Sequence, residues 1–229
     1  MVTSHIVKSF DEDLKHLNDQ ISQMGTLISE QLKLAIKAIK DSDEKLAQKV
    51  IDTDSMVDDL ERQIDDFAIK MIALRQPMAG DLRSIVATIK ISSHLERIAD
   101  YATNIAKRAV ILSKMSKVPS LTPVSKMSEI ALKMIKDVTQ AYIDNDAELA
   151  TKVWNTDVEI DDIYIGFIRA LLTYMMEDPR NISPCMELLF VAKNIERIGD
   201  HGANVAEMVY YMVRGESFAE PRPKGEIKK

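Results

Sequence analysis

The stretch LERIADYATNIA, residues 95–106, occurs a second time as IERIGDHGANVA, residues 195–206. Six of the twelve positions are identical, and the exchanges of Leu95 for Ile195 and of Ile105 for Val205 keep side chains of similar size. A match of this kind, one hundred positions apart, indicates an internal duplication of about half the chain. The chain is therefore predicted to consist of two similar halves.

The composition favours helices over sheets. Hydrophobic residues make up 46% of the 229 residues and aromatic residues 5%, while Gly and Pro number only seven each. Apolar residues recur at spacings of three and four in six long segments, which is typical of amphipathic helices. The second of these segments, from Leu46 to Leu74, is predicted as one uninterrupted helix.

These segments predict an all-α fold of two tandem, pseudo-symmetric, antiparallel three-helix bundles. The first bundle is assigned to residues 5–115 and the second to residues 122–215. Capping boxes are expected at residues 41–44 and 145–148, where helices should begin, and Gly215 should end the last helix. Residues 216–229 are polar, contain two prolines and are predicted to form a flexible tail.

Charge and cysteine content exclude several classes of function. The net charge is −6, and basic residues do not cluster outside the last few positions, which argues against binding to nucleic acid. A single cysteine, Cys185, cannot form an internal disulfide, and the N-terminus lacks the apolar core of a signal peptide. A cytosolic protein is expected, without a membrane-spanning segment.

Pairs of acidic residues stand one helical turn apart at four places. Carboxylates at this spacing repel each other by about a few tenths of a kcal/mol, so their repetition needs a physical reason. Each copy of the duplicated stretch carries one pair, and so does the preceding helix in each half. The four pairs are Glu96/Asp100, Glu196/Asp200, Asp54/Asp58 and Asp157/Asp161.

Helix geometry predicts that the pairs of each half converge. Asp58 and Glu96 lie nineteen residues on either side of Pro77, so two antiparallel helices joined at that proline bring them level. The second-half pairs are centred in the same way between Asp178 and Pro179. Four carboxylates on one patch require protons or bound cations, and oxygen ligands suit Mg²⁺, Mn²⁺, Ca²⁺ or iron. Further candidate ligands are Asn104, Asn204 and His201.

Other interpretations of the acidic pairs remain open. Arg97 and Arg197 adjoin the Glu residues, so the pairs can also be a solvated surface of a helical scaffold without metal. A redox or hydrolytic metalloenzyme could use the same acids. The scarcity of His and Cys argues against structural zinc, and the absence of Glu-x-x-His argues against a ferritin-like di-iron site. The sequence contains neither a Gly-rich phosphate loop nor a nucleophile elbow.

Three features together resemble the PhoU family. They are the duplicated ERIxDxxxN motif, the segment RQPMAGDLR at residues 75–83 and the arrangement of six helices in two halves. The resemblance covers the chain from Ser9 to about Gly215. The family's usual motif contains a histidine that the second copy has as His201, whereas the first copy has Tyr101. This difference implies that the two acidic patches are chemically unequal.

The resemblance implies a cytoplasmic, non-enzymatic regulator of phosphate homeostasis, peripheral at the inner face of the membrane through its partners. The implied partners are the Pst phosphate transporter and a sensor histidine kinase, and the protein would restrain the phosphate-starvation response. A homodimer is also implied. The implied cofactor is a multinuclear metal cluster of iron, with Mn, Mg, Ca and Zn as alternatives. Its implied ligands are Asp54, Asp58, Glu96 and Asp100 in one half and Asp157, Asp161, Glu196 and Asp200 in the other.

Overall fold

The fold consists of long helices joined by short turns. The computed structural model describes residues 2–115 and 119–225, with side chains from residue 10 onward, and all regular elements in these ranges are helical. A short 3₁₀ turn, Pro179–Asn181, precedes the last helix. The helices are α1 Val2–Asp41, α2 Glu44–Asp52, α3 Asp54–Arg75, α4 Gly80–Leu112, α5 Thr122–Asp144, α6 Ala147–Glu177 and α7 Ile182–Arg214.

Short-range hydrogen bonds fix where helices begin and end. The carboxylate of Asp43 accepts a hydrogen bond from the Leu46 amide at the start of α2, and Asp146 accepts two at the start of α6. These bonds satisfy amides that have no partner within the helix. Gly215 ends α7 with φ of +79°, a backbone conformation that glycine adopts without strain. The helix starts predicted at residues 41–44 and 145–148 and the helix end predicted at Gly215 are therefore confirmed.

The predicted second helix is divided, which corrects the sequence analysis. It consists of α2 and α3, which meet at Thr53. The Thr53 hydroxyl donates to the carbonyl of Val50 at 2.9 Å, and its amide bonds to the same carbonyl in a tighter turn. Gln31 on α1 donates to the Thr53 carbonyl, which also accepts a hydrogen bond from the Met56 amide. A local side-chain bond to the backbone therefore competes with the regular helix, an effect that apolar periodicity cannot reveal.

The helices form two bundles, as the duplication predicts. Helices α1, α3 and α4 pack together in the first half, and α5, α6 and α7 pack together in the second. The duplicated helices α4 and α7 pack against each other and join the halves. The continuous apolar core includes Met24, Ile98 and Ile198, each at most 1% exposed. None of the helices in the described ranges is long and apolar enough to cross a membrane.

Candidate metal centre

The first-half acids face one another across the hairpin of α3 and α4. Asp54 opens α3, where the helix dipole favours a carboxylate, and accepts a hydrogen bond of 2.9 Å from the Thr103 hydroxyl on α4. Burial raises the pKa of Asp54, and the negative charges of Asp100 and Asp58 raise it further. The two acids of α3 therefore share an electrostatic environment with Asp100 on α4.

Glu96 is the most strongly perturbed acid of this first-half cluster. Burial raises its pKa to about 7, the neighbouring Asp100 adds to the shift, and the guanidinium of Arg97 opposes it. Asp58 contributes in the same direction as Asp100. The structure thus brings together all four acids predicted for the first half, and a proton or a cation would relieve the burial and like charge that raise the pKa of Glu96.

The first-half cluster contains a fifth acid that the sequence analysis missed. Glu61 lies on α3 one turn beyond Asp58, and its charge raises the pKa of Glu96. Burial raises the pKa of Glu61 itself, while a hydrogen bond from the Ser93 side chain opposes the shift. A spacing of three from Asp58 and of seven from Asp54 places Glu61 on the same helical face, so periodicity could have identified it.

Asp157 is the most deeply buried acid of the second-half cluster. It is 1% exposed, and its Oδ1 atom has no hydrogen-bond partner. Burial raises its pKa to about 7, Arg222 opposes that shift, and the charges of Asp161 and Asp200 add to it. A buried carboxylate oxygen without a donor is costly, so this position favours a proton or a cation.

A glycine permits this close packing of α6 on α7. A Cβ atom added at Gly199 would lie 2.7 Å from Asp157 Oδ1 and 3.0 Å from the Cδ1 atom of Ile160. The corresponding residue of the first half is Ala99. The close contact of Asp157 with the backbone of α7 therefore depends on a glycine that the first half does not have.

Glu196 has a different environment from Glu96. Its Oε1 atom accepts a hydrogen bond of 2.7 Å from Lys193, and its Oε2 atom is buried without a hydrogen-bond partner. The Lys193 ammonium also lies 5.3 Å from the centre of the Tyr164 ring. Lys193 stands at the position that corresponds to Ser93 of the first half, one hundred residues earlier. Tyr164 corresponds to Glu61, because it follows Asp161 by three residues as Glu61 follows Asp58. The second half thus has a cation and a phenol where the first half has a hydroxyl and a carboxylate.

Basic residues after α7 complete the second-half cluster. Arg222 is only 13% exposed at its side chain; its Nε atom lies 3.4 Å from Asp157 Oδ2, and its guanidinium forms a close ion pair with Asp200. The amide of Gly225 donates to Asp161 Oδ2 at 3.0 Å. The sequence analysis did not identify Arg222, because nothing in the spacing of a non-helical segment indicates where it folds back.

The three additional candidate ligands lie at the edges of these clusters. Asn204 accepts a hydrogen bond of 3.3 Å from Arg222, and Asn104 is half-buried on α4. His201 points to the junction of the halves, where its Nδ1 atom lies 3.2 Å from His94 Nδ1 and its ring lies 5.6 Å from Tyr101. Burial lowers the pKa of His201 to about 4, and His94 contributes to that shift.

Comparison with known proteins identifies the family. The family model described as "PhoU domain" matches residues 21–109 and residues 124–209, one match in each half. The chain belongs to the PhoU family. Each PhoU match contains the acidic pairs of its half, whereas the segment that carries Arg222 lies beyond both matches.

Relatives match along almost the whole chain. A protein of Rhizobium meliloti (strain 1021), named a phosphate-specific transport system accessory protein PhoU homolog, is 46% identical over 99% of this chain and 96% of its own length. A protein of the same name from Caulobacter vibrioides (strain NA1000 / CB15N) is 45% identical over 99% of both chains.

Solved PhoU structures have the same fold. The crystal structure of PhoU from Pseudomonas aeruginosa has a TM-score of 0.87 and 38% identity, and it covers 90% of this chain and all of its own. The crystal structure of the phosphate transport system regulatory protein PhoU from Streptococcus pneumoniae has a TM-score of 0.86 and 26% identity, and it covers 92% of this chain and all of its own.

The donor chemistry of both clusters fits a hard cation, but the present side-chain positions do not form a finished site. Among the side chains that the structure describes, no three His, Cys, Asp or Glu groups are placed to hold one metal ion together. Buried oxygens of Asp157 and Glu196 nevertheless lack hydrogen-bond donors. Carboxylates supply the oxygen ligands that Mg²⁺, Mn²⁺ and iron accept, so binding would require side chains to turn.

Proposed function

We propose that this protein is a non-enzymatic regulator of phosphate homeostasis. Its membership of the PhoU family, with relatives that match over nearly the full chain, is the observation that carries the proposal. Those relatives are named as accessory proteins of a phosphate-specific transport system. The protein acts at the cytoplasmic side, where it restrains the phosphate-starvation response through contacts with the Pst transporter and a sensor histidine kinase.

Metal binding by the acidic clusters is the second part of this proposal. The eight predicted ligands hold a multinuclear cluster, with iron as the first candidate and Mn, Mg, Ca or Zn as alternatives. Support comes from the partial burial of Asp54 and Glu96 beside the negative charges of Asp58 and Asp100, which raise the pKa of both carboxyls. When bound, the metal supplies positive charge that replaces protons. The packing of α3 against α4 and of α6 against α7 positions the carboxylates that would hold it.

A helical scaffold without metal is the second candidate function. It is favoured by the observation that the described side chains place no three potential ligands around one point. In this case, protons on Glu96 and the cationic side chains near Asp157 compensate the buried charge, and regulation depends on helix surfaces alone. Both candidates predict the same role in phosphate signalling, so a separate measurement of metal is required.

The regulatory role is tested by deleting the gene and measuring phosphate-starvation transcripts in phosphate-rich medium. The proposal predicts that these transcripts rise, and that the wild-type gene restores repression. A strain in which the transcripts stay low after deletion would contradict the regulatory role. Copurification with the transporter and the kinase from membranes tests the proposed partners.

The metal is tested by elemental analysis of protein purified without chelators. We expect Asp58→Asn/Glu96→Gln to lose metal from the first half, whereas Asp59→Asn/Asp66→Asn, which removes the same number of charges at exposed positions of α3, should retain it. Equal metal content in the two variants would remove the first-half cluster from the proposal. Light scattering during size-exclusion chromatography tests the proposed homodimer, since a monomer would have the chain mass of 25.8 kDa.

A further inference from the structure

The segment after α7 folds back onto the second half. Arg83 on α4 donates to the carbonyl of Met212 at 3.1 Å, close to the turn at Gly215. Beyond this turn, the ring of Phe218 stacks between Trp154 at 4.4 Å and Tyr210 at 4.1 Å. Two aromatic contacts anchor a segment that forms no regular structure of its own. We refer to residues 216–225 as the C-terminal strap.

The strap places positive charge on the acids of the second-half cluster. Arg222 lies between Asp157 and Asp200, and it also donates to the Asp200 carbonyl at 2.9 Å. The ammonium of Lys224 lies 3.6 Å from Asp200 Oδ1, and the Gly225 amide bonds to Asp161. The strap therefore contacts three of the four acids that are predicted to bind metal in this half.

The first-half cluster has a different source of compensating charge. Arg97 lies 3.5 Å from Glu96 and 3.2 Å from Asp100, but its side chain is 58% exposed and belongs to the same helix as both acids. Arg222 is 13% exposed and reaches its acids from a separate segment. A buried guanidinium that satisfies buried carboxylates is held more strongly than an exposed one.

We propose that the C-terminal strap is a tethered cation that closes the second-half cluster, and that divalent metal ions must displace it to bind there. The inference rests on the proposed metal binding, and it concerns which half is open to metal. Arg222 and a metal ion require the same oxygens of Asp157 and Asp200, so both cannot occupy them together. The first-half cluster, which none of the described strap contacts reaches, binds metal without this competition.

Competition from the strap should lower the apparent affinity of the second-half cluster for metal. A ligand that binds only the open form has its apparent affinity reduced by the fraction of open molecules. If the strap is open in about one molecule in ten, the apparent affinity of the second-half cluster falls about tenfold. Removing the Arg222 guanidinium should raise the apparent affinity by the same factor.

Binding of Mn²⁺ to full-length variants tests the strap. In an Asp54→Asn/Glu96→Gln background, which removes two of the four predicted first-half ligands and keeps all the second-half acids, equilibrium dialysis compares Arg222→Gln and Phe218→Ala with the unchanged strap. We expect Arg222→Gln to raise the affinity about tenfold, and Phe218→Ala to raise it in the same direction by weakening the anchor. Glu220→Gln, at an exposed position of the strap, is the matched control and should have no effect.

Tryptophan fluorescence gives a second readout that does not depend on metal content. Trp154 is the only tryptophan of the chain and stacks on Phe218, so its emission reports whether the strap is docked. We expect Mn²⁺ to change the emission of the background protein toward that of its Phe218→Ala variant. Circular dichroism should show that each variant keeps its helices.

Three results would contradict the inference. The first is unchanged Mn²⁺ affinity in both Arg222→Gln and Phe218→Ala. The second is a loss of Mn²⁺ binding in Arg222→Gln, since the strap would then build the site and not close it. The third is saturation by Mn²⁺ without a change in Trp154 emission. If the first-half cluster still binds Mn²⁺ in Asp157→Asn/Asp200→Asn, only the strap inference fails; if neither half binds, the proposed metal binding fails as well.

Discussion

The two acidic clusters share their acids but differ in what compensates the negative charge. In the first half, Glu61 adds a carboxylate, and burial with neighbouring charge raises the pKa of Glu96 to about 7. In the second half, Lys193 pairs with Glu196 and Arg222 enters between Asp157 and Asp200. Burial thus raises the pKa of one acid to about 7 in each half, but only the second-half cluster has a largely buried cation that reaches it from a separate segment.

This comparison shows that the neighbours of a repeated motif decide its chemistry. A carboxylate pair one turn apart is the same local structure in α4 and α7, yet the residues that face it come from different elements. Those elements are α3 in one half, and α6 with the C-terminal strap in the other. Changes in the neighbours should therefore affect one half and leave the other unchanged.

The largest effect on stability is expected from Gly199→Ala. The new Cβ atom would meet Asp157 Oδ1 at 2.7 Å, so α6 must move or the buried acid must turn, at a cost of about 2 kcal/mol. Urea unfolding measures this loss. Gly166→Ala, on the same hairpin but with open space around the added atom, should instead stabilise by about 0.5 kcal/mol. Equal changes in the two variants would show that the close approach at Gly199 is unimportant.

A somewhat smaller effect is expected from Arg222→Gln. The substitution leaves Asp157 and Asp200 without their guanidinium, and we expect a loss of about 1.5 kcal/mol at pH 8, because undocking of the strap limits the cost. A double-mutant cycle with Asp157→Asn checks the cause. The second substitution should reduce the loss if the two groups interact, whereas additive losses would contradict the ion pair as the source of stability.

The pH dependence of stability should distinguish Glu96→Gln from the wild type. Because the folded-state pKa of Glu96 is raised to about 7, its stabilising contribution is complete below about pH 4.5 and is lost as the pH rises through 7. Glutamine does not titrate. Without metal, the stability of Glu96→Gln relative to wild type should therefore increase by about 1 kcal/mol from pH 5 to pH 8, after allowance for solvent screening.

The control for this titration is Glu159→Gln on the exposed face of α6. Its unfolding free energy should stay close to that of the wild type at both pH values. Urea titrations in the presence of a chelator give the required free energies. A constant difference between Glu96→Gln and the wild type across this range would show that Glu96 is ionised in the folded protein at pH 5.

The smallest effects are expected at the two arginines inside the duplicated motif. Arg97 and Arg197 form ion pairs with the acids of their own helices, but their side chains are 58% and 50% exposed. Exposed pairs of this kind contribute less than about 0.5 kcal/mol. Thermal or urea unfolding of Arg97→Gln and Arg197→Gln should therefore give nearly wild-type stability, and a much larger loss in either would show that the motif arginine has a structural role.

Local and periodic signals predicted most of the architecture. Apolar spacing located the helical segments, and the capping sequences at residues 41–44 and 145–148, with Gly215, marked helix ends because their contacts lie within a few residues. The division at Thr53 was missed because a hydroxyl bond to the backbone leaves no trace in the hydrophobic pattern. The duplication indicated two bundles, since two copies of one amphipathic helix have the same face to bury.

The candidate site was only partly predictable. The symmetric spacing of Asp58 and Glu96 about Pro77 indicated that α3 and α4 would bring acids together. This prediction needs only the turn position, because antiparallel helices place residues that are equidistant from the turn side by side. Arg222 could not be found in this way, because it reaches Asp157 through a non-helical segment anchored by Phe218. Contacts that depend on the course of an irregular segment are decided by tertiary packing. Metal ligation by the eight acids stays a prediction.

The most direct test of the inequality between the two halves is Mn²⁺ binding to two complementary proteins at one pH. Asp157→Asn/Asp200→Asn removes two of the four predicted second-half ligands and keeps the first half intact, and Asp54→Asn/Glu96→Gln does the reverse. We predict that the first protein binds Mn²⁺ about tenfold more tightly, because the strap restricts the second-half cluster. Equal affinities, or tighter binding by the second half, would contradict the account.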